Sequence, residues 1–251
     1  MSSSEPSLQL DVGNSGAKWR VVLAGQIVAR GTFVWGDVGS SERLLESTQS
    51  VDEILVASVA SPEKDLELAA LLENRWGVIP WFAKTPIQTK TQNGILRNSY
   101  ADPSRMGVDR WLAMLAAQAL FTGAFCVVDA GSALTIDHVS ETGQHLGGYI
   151  IPGPALMERA LLLDTDRVRF DESANYALTP GDSTAEAVRH GIALAQVGAV
   201  ELALKRTQKA QDIVFSGGAG KVLLDLGQVA GTYRQDLVFE GLEIIARSTA
   251  M

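Results

Sequence analysis

Hydrophobic and polar positions along the chain alternate between the period of strands and that of helices. Leu8 to Leu10 predicts a short buried strand ending at Asp11-Val12-Gly13-Asn14-Ser15-Gly16-Ala17-Lys18. Trp19 to Leu23 and Ile27 to Trp35 read as two strands joined by a tight turn at Ala24-Gly25. Glu53 to Ala60 predicts a buried strand, after which Ser61-Pro62-Glu63 carries the marks of a helix start: a capping hydroxyl, a proline at the first helical position and an acid near the positive end of the dipole. Leu68, Leu71, Leu72 and Trp76 share one face of that helix, Gly77 can close it, and Val78 to Phe82 follows as a strand. A second helix is expected from Ser104, with Val108, Trp111, Leu112, Leu115, Ala116, Ala119 and Leu120 at i, i+3, i+4 spacing.

The second half predicts a similar succession. Ala124 to Val128 reads as a strand ending at Asp129-Ala130-Gly131-Ser132-Ala133-Leu134-Thr135, and Leu134 to Val139 with His145 to Ile151 as a hairpin around Glu141-Thr142-Gly143-Gln144. Pro154 to Leu163 and Thr184 to Thr207 read as helices, the latter opened by Ser183 and Glu186 at capping-box spacing. Ile213 to Phe215 predicts a strand ending in Ser216-Gly217-Gly218-Ala219-Gly220, and a last strand and helix complete the chain. Each half thus holds a buried strand that ends in Asp-x-Gly-(Asn/Ser) and runs into a hairpin. The two aspartates, Asp11 and Asp129, stand 118 positions apart. That spacing predicts two copies of one supersecondary unit rather than a solenoid, whose repeat is ~20–50 residues.

Composition narrows the class. The 251 residues include 29 acids against 21 Lys and Arg, giving a net charge of -8, and 46% are hydrophobic. At ~150 residues per domain this is one to two globular domains. The acidic balance argues against a nucleic-acid binder held by phosphate contacts, though not against a nucleotide site. One cysteine, Cys126, excludes an intramolecular disulfide; it lies in an apolar strand and reads as a small hydrophobe. The start, Met1 to Ser7, has neither a basic nor an apolar targeting segment, and the longest uncharged helical run, Trp111 to Phe121, falls short of the ~20 residues of a membrane span. A cytoplasmic chain with no membrane or nucleic-acid partner is expected. His138, His145 and His190 show no ligand spacing and read as structural or surface residues.

The strand-end turns carry the candidate chemistry. Small residues after a strand let backbone amides approach an anion, Lys18 offers a point charge for a β- or γ-phosphate, and Asp11 is suited to holding Mg²⁺ directly or through water. Asp129 with Gly131 and Ser132 repeats the pattern without a lysine. Two such turns on one triphosphate would leave phosphoryl transfer needing a base for the attacking hydroxyl. Asp109 is the natural candidate, with Arg110 beside it for an anionic substrate. No Walker A, Gly-x-Gly-x-x-Gly or His-Glu-x-x-His pattern is present. Ala187, Gly191, Ala195 and Gly198 form a small-residue stripe suited either to close packing within the subunit or to a dimer contact.

The chain resembles the type III pantothenate kinases, from about Leu8 to Ala246. The resemblance rests on Asp11-Val12-Gly13-Asn14-Ser15-x-x-Lys18, Tyr100-x-x-Pro103-x-x-Met106-Gly107-Val108-Asp109-Arg110-Trp111, Asp129-x-Gly131-Ser132-Ala133-x-Thr135-x-Asp137, Gly147-Gly148-x-Ile150-x-Pro152-Gly153, Ser183-Thr184 before a helix with Gly191, and Ser216-Gly217-Gly218. It implies an α/β fold of the duplicated ribonuclease H-like, actin-like kind, with two similar domains each holding a mixed sheet flanked by helices. The expected division is a disordered start over 1–7, a first domain over 8–108 and a second over 109–251. The resemblance further implies ATP-dependent phosphorylation of pantothenate to 4'-phosphopantothenate, the first step of coenzyme A synthesis, by a homodimer. In that family's terms Asp11 to Lys18 is the ATP-phosphate loop, Ser132 is an ATP contact in place of the more usual Thr, and Asp109 is the general base. Tyr100, Gly107, Val108, Asp109 and Arg110 bind pantothenate. Thr184 matches a substrate contact supplied by the second subunit, and Asp129 the position that holds a monovalent cation, K⁺ or NH₄⁺, alongside Mg²⁺ with ATP. The rival expectations are a kinase of the same fold acting on another small alcohol or sugar, and a non-catalytic accessory factor in gene expression.

Overall fold

The structure, a computed structural model, describes residues 6–165, 168–207 and 211–249. The chain forms two compact units interleaved along the sequence: residues 1–89, 100–116 and 238–251 in one, 90–99 and 117–237 in the other. Position 108/109, the expected boundary, falls inside the first unit. The stretch expected to be disordered, 1–7, lies outside the described residues except for Pro6 and Ser7, and Ser7 already pairs in the first strand.

In the first unit, β1 (Ser7–Val12), β2 (Gly16–Leu23), β3 (Gln26–Val34), β4 (Glu53–Ser58) and β5 (Trp81–Phe82) form one mixed sheet in the order β3-β2-β1-β4-β5. β1 runs antiparallel to β2 and parallel to β4. The β2–β3 turn is at Ala24-Gly25 as expected, both residues at positive φ (51° and 79°), the geometry of a tight hairpin that follows strand twist. Leu8, Leu10 and Val12 point to one face, where they join Trp19, Val21, Phe33, Leu44, Ile54, Val56, Leu68 and Leu72 in a core under α1 (Val38–Leu45) and α2 (Pro62–Trp76). The helix start at Ser61 and its close at Gly77 are as the sequence predicts: Ser61 accepts the Lys64 amide, and Gly77 adopts φ 71°. Gln9 and Arg20 occupy the opposite face, where both donate to Glu243 of α7 (Leu237–Thr249) and the Arg20 guanidinium lies 4.8 Å from the Phe239 ring centroid.

Several local expectations change, and β1 and the strand Phe125–Ala130 run on through Asp11 and Asp129 to Val12 and Ala130. The strand expected to Ala60 ends at Ser58, and the one expected over Val78 to Phe82 keeps only Trp81 and Phe82. The helix expected from Ser104 begins at Val108 as α3 (Val108–Leu120), because residues Pro103–Arg105 form a separate 3₁₀ turn capped by Asp102. Met106 follows at ψ 129°, an extended conformation that breaks the turn from the helix.

The second unit repeats the sheet: β8 (Phe125–Ala130), β9 (Ala133–Val139), β10 (His145–Pro152), β11 (Asp212–Ser216) and β12 (Thr232–Tyr233) in the order β10-β9-β8-β11-β12. Cys126, Val128, Ala130, Leu134 and Ile136 form its core with Val197, Val200 and Ala203 of α5 (Thr184–Arg206) and Leu223 of α6 (Gly220–Gly227). α4 (Pro154–Asp164) completes its helices, and a two-stranded ribbon, β6 (Gln88–Thr91) with β7 (Gly94–Arg97), lies against the β9–β10 turn, where the Arg97 amide donates to Gly143. Cys126 is fully buried, and burial together with the nearby charge of Asp137 pushes its thiol far up, as expected of an inert core residue. His138 and His145 are buried as structural residues; His145 lies between Ser99 Oγ (2.8 Å) and Asp137 Oδ1 (3.0 Å). At 23 residues α5 is long and apolar enough to cross a membrane by length and composition alone, a test that the core helix of a globular domain also passes.

Gly241 of α7 meets α3 where a side chain has no room, since a Cβ there would strike the Leu112 carbonyl. Gly241→Ala is expected to destabilise the chain by about 1–3 kcal/mol through overpacking, read as a lower urea midpoint. An unchanged midpoint would show that α7 does not pack on Leu112 in solution.

Candidate functional site

The first turn is built by the ladder on either side of it. Asp11 and Lys18 are partners in the β1–β2 register, so their side chains leave the same face of the sheet at adjacent positions. The turn between them closes with a 2.8 Å hydrogen bond from the Gly13 amide to the Gly16 carbonyl. Asn14, Ser15 and Lys18 are exposed and Asp11 half-buried, whereas Val12 and Ala17 point into the core and bring only backbone to the turn. A Cβ at Gly16 would overlap the Phe33 carbonyl, which explains glycine where β2 leaves the turn against β3.

Two residues outside the expected set hold this turn. The Trp35 indole Nε1 donates to the Gly13 carbonyl at 3.4 Å and the Trp35 amide to the Ser15 carbonyl at 3.4 Å. Lys64, at the start of α2, donates to the Asn14 carbonyl at 2.5 Å, its ammonium 5.2 Å from the Trp35 ring centroid. A lysine in the first turn of a helix carries the sequence pattern of a solvated residue. Its closeness to Asn14 depends on β4 lying beside β1, a pairing no local pattern announces.

The same strand ends bring in Asp109. The Val59 amide, just past β4, donates to the Val12 carbonyl at 2.9 Å. A Cβ placed on Gly107 would lie 3.7 Å from Val59 Cγ1 and 2.5 Å from Asp109 Oδ1. Gly107 therefore keeps the approach to α3 free of side chain, and the Asp109 carboxylate folds back over it to accept the Arg110 amide at 2.7 Å. A carboxylate in the first turn of a helix also meets the positive end of the dipole. Arg110 is only 5% exposed; its Nη1 donates to the Tyr100 hydroxyl at 3.0 Å and its guanidinium stands 5.8 Å from the Tyr100 ring centroid. Val108 is buried. The first unit thus gathers Asp11, Lys18, the Gly13–Ser15 turn and the Gly107–Asp109 segment at the ends of β1 and β4, with Tyr100 bound to Arg110.

In the second unit Asp129 takes the corresponding place at the end of β8, opposite Thr135 in β9 and Ser216 in β11. Its turn closes in the same way, the Gly131 amide donating to the Ala133 carbonyl at 2.9 Å. Ser132 is exposed on the turn. The Ser216–Gly220 loop runs over this strand end: Gly217 sits at φ 81°, and a Cβ there would lie 2.5 Å from Asp129 Oδ1 and from the Ala130 carbonyl carbon. Only glycine fits so close to that carboxylate. Thr184 opens α5 with its side chain exposed, behind the Ser183 cap that accepts the Glu186 amide. Ala187, Gly191, Ala195 and Gly198 are exposed on α5, and a Cβ on Gly191 or Gly198 would meet nothing within 4 Å among the described residues, so the stripe is not packed against them.

Among the described residues no three acidic, histidine or cysteine side chains converge to hold a metal. The donors present, a carboxylate at each of the two strand ends, fit a hydrated Mg²⁺ carried on phosphate oxygens, the usual manner of that ion.

Comparison with known proteins agrees with this architecture. The chain is 37% identical over 241 residues to the type III pantothenate kinase of Hahella chejuensis, covering 96% of this chain and 97% of that one. Among solved structures it is similar to a 2-dehydro-3-deoxygalactonokinase protein from Sinorhizobium meliloti (TM-score 0.61, 12% identity, 97% and 99% of the two chains). It is also similar to a Baf family transcriptional activator from Campylobacter jejuni (TM-score 0.59, 23% identity, 97% and 100%). At those identities the two structures speak for the fold alone, a duplicated α/β fold with two five-stranded sheets of the same strand order. The family profile for type III pantothenate kinase matches residues 7–206, and with the strand-end turns, the Gly107–Arg110 segment and the duplicated sheet all in place, this chain belongs to that family.

Proposed function

We propose that the chain transfers the γ-phosphoryl group of ATP to the primary hydroxyl of pantothenate, giving ADP and 4'-phosphopantothenate, the entry step of coenzyme A synthesis. The observation that carries the reading is the gathering, within the first unit, of an amide-bearing turn with Asp11 and Lys18 and of the Asp109 carboxylate at one set of strand ends. The hydroxyl oxygen attacks the γ-phosphorus, the bond to the ADP oxygen breaks, and Asp109 takes the hydroxyl proton. The amides of Asn14 and Ser15 with Lys18 hold the phosphate tail, Ser132 contributes a hydroxyl to ATP, and Asp11 is the residue suited to Mg²⁺. That ion supplies charge neutralisation on the phosphates when bound. Asp129 is suited to a monovalent cation, K⁺ or NH₄⁺.

Pantothenate ends in a carboxylate, and Arg110 is the group suited to it. Its guanidinium is pre-set by Tyr100, which limits the side-chain freedom lost on binding. The resemblance assigns Thr184 a pantothenate contact across a homodimer. The exposed small residues of α5, with Leu194 and Leu202 exposed on the same helix, support a subunit contact there. We read the enzyme as a cytoplasmic homodimer.

Asp109→Asn keeps shape and removes the base; kcat is expected to fall by about 10²–10⁴ with an unchanged melting temperature. Near-full turnover would remove Asp109 from that role. Tyr100→Phe, which deletes the hydroxyl that fixes Arg110, is expected to raise KM for pantothenate about fivefold and leave KM for ATP in place, the net worth of about one typical hydrogen bond. Equal rises in both constants would put the carboxylate elsewhere. Leu194→Glu is expected to convert a dimer to a monomer in light scattering; a wild-type chain that is already monomeric contradicts the subunit contact.

A further inference from the structure

We propose that Lys64, together with Trp35, is a positioning residue for the phosphate turn, and that it sets the affinity for ATP without touching pantothenate. The inference rests on reading Asp11 to Lys18 as the site of the ATP phosphates. A trans peptide is planar, so each carbonyl and the amide of the next residue point in opposite directions. The Trp35 indole holds the Gly13 carbonyl, which aims the Asn14 amide away from the indole. Lys64 holds the Asn14 carbonyl, which aims the Ser15 amide away from the ammonium. Neither of those two amides donates to an acceptor among the described residues. The turn therefore presents a pair of oriented donors, the arrangement by which successive amides bind an anion.

The second unit shows why the first one needs the lysine. Its turn has two residues, Gly131 and Ser132, between the paired strands, against three, Gly13 to Ser15, in the first. In both turns the residue just past the third strand of the hairpin donates its amide to the last carbonyl: Trp35 to Ser15 at 3.4 Å, Gly153 to Ser132 at 3.0 Å. The shorter turn lies directly on Gly153, where a Cβ would collide with the Gly131 and Ser132 carbonyls, and no lysine among the described residues is shown bonded to it. The additional residue of the longer turn brings an additional carbonyl, and Lys64 supplies its partner. The indole beneath the ammonium offers it a cation–π contact in the same position. Without Lys64 the Asn14–Ser15 peptide is free to turn over, which would present an oxygen instead of an amide to the phosphate.

The test is steady-state kinetics of the full-length chain with ATP, Mg²⁺ and pantothenate, beside thermal shifts with and without ATP. Lys64→Met is expected to raise KM for ATP about tenfold, to leave KM for pantothenate within about twofold and to shrink the ATP-induced rise in melting temperature. Lys64→Arg, which keeps a cationic donor, is expected to restore most of the loss. Trp35→Phe, which keeps a ring and removes the indole donor, is expected to raise KM for ATP about threefold. Lys18→Met is the control for the underlying reading. If it leaves KM for ATP unchanged, the turn is not the phosphate site and both the reading and this inference fall. If Lys18→Met weakens ATP while Lys64→Met only lowers the melting temperature of the free protein, Lys64 is structural and the inference alone is overturned.

Discussion

The pairing of β1 with β2 on one side and β4 on the other is the constraint on which the rest of the first unit depends. The antiparallel partner sets Asp11 opposite Lys18, and the parallel partner delivers the residues that follow β4 to the same end of the sheet. Shifting the β1–β2 register by one residue would send Asp11 and Lys18 into the face filled by Leu8, Leu10 and Val12 and would bring those apolar side chains out. The burial of that core thus holds the chemical groups in register. A hydrophobic requirement fixes a polar arrangement.

The second unit uses the same sheet order with different contents at the strand ends. Where the first turn has a neighbouring lysine in β2 and another reaching in from α2, the second has Thr135 in the paired position and a glycine, Gly217, lying over its carboxylate. Duplication gave two chemically distinct strand ends on one backbone plan. A turn rich in cationic donors suits the most charged part of a triphosphate, and a carboxylate lying under backbone suits a cation. That division agrees with the roles proposed for Asp11 to Lys18 and for Asp129.

Much of this was legible in the amino-acid order, for identifiable reasons. The repeat announced itself because a strand that must end in a backbone-exposing turn favours glycine and short polar residues, so Asp11-Val12-Gly13-Asn14 and Asp129-Ala130-Gly131-Ser132 stand out against apolar runs. The Ser61 start and Gly77 close of α2 were readable because caps act locally. What stayed hidden depends on distant partners. The strand expected over Val78 to Phe82 is present but keeps only the two residues of β5, and the last strand, β12, is equally short, because a neighbouring strand and not a local pattern sets their extent. The ribbon of Gln88–Thr91 and Gly94–Arg97 has too few apolar residues to show a period. The division into units crosses the chain several times because α7 returns to pack on Leu112 through Gly241, a contact between residues far apart in the sequence. Lys64 escaped notice for the same reason.

The most direct measurement is a crystal structure of the chain with pantothenate and a non-hydrolysable ATP analogue. The γ-phosphate is expected on the amides of Asn14 and Ser15, with the primary hydroxyl of pantothenate within about 3 Å of an Asp109 carboxylate oxygen and its carboxylate on Arg110. A pantothenate hydroxyl turned away from Asp109, or a triphosphate bound at some other turn, would contradict the assignment.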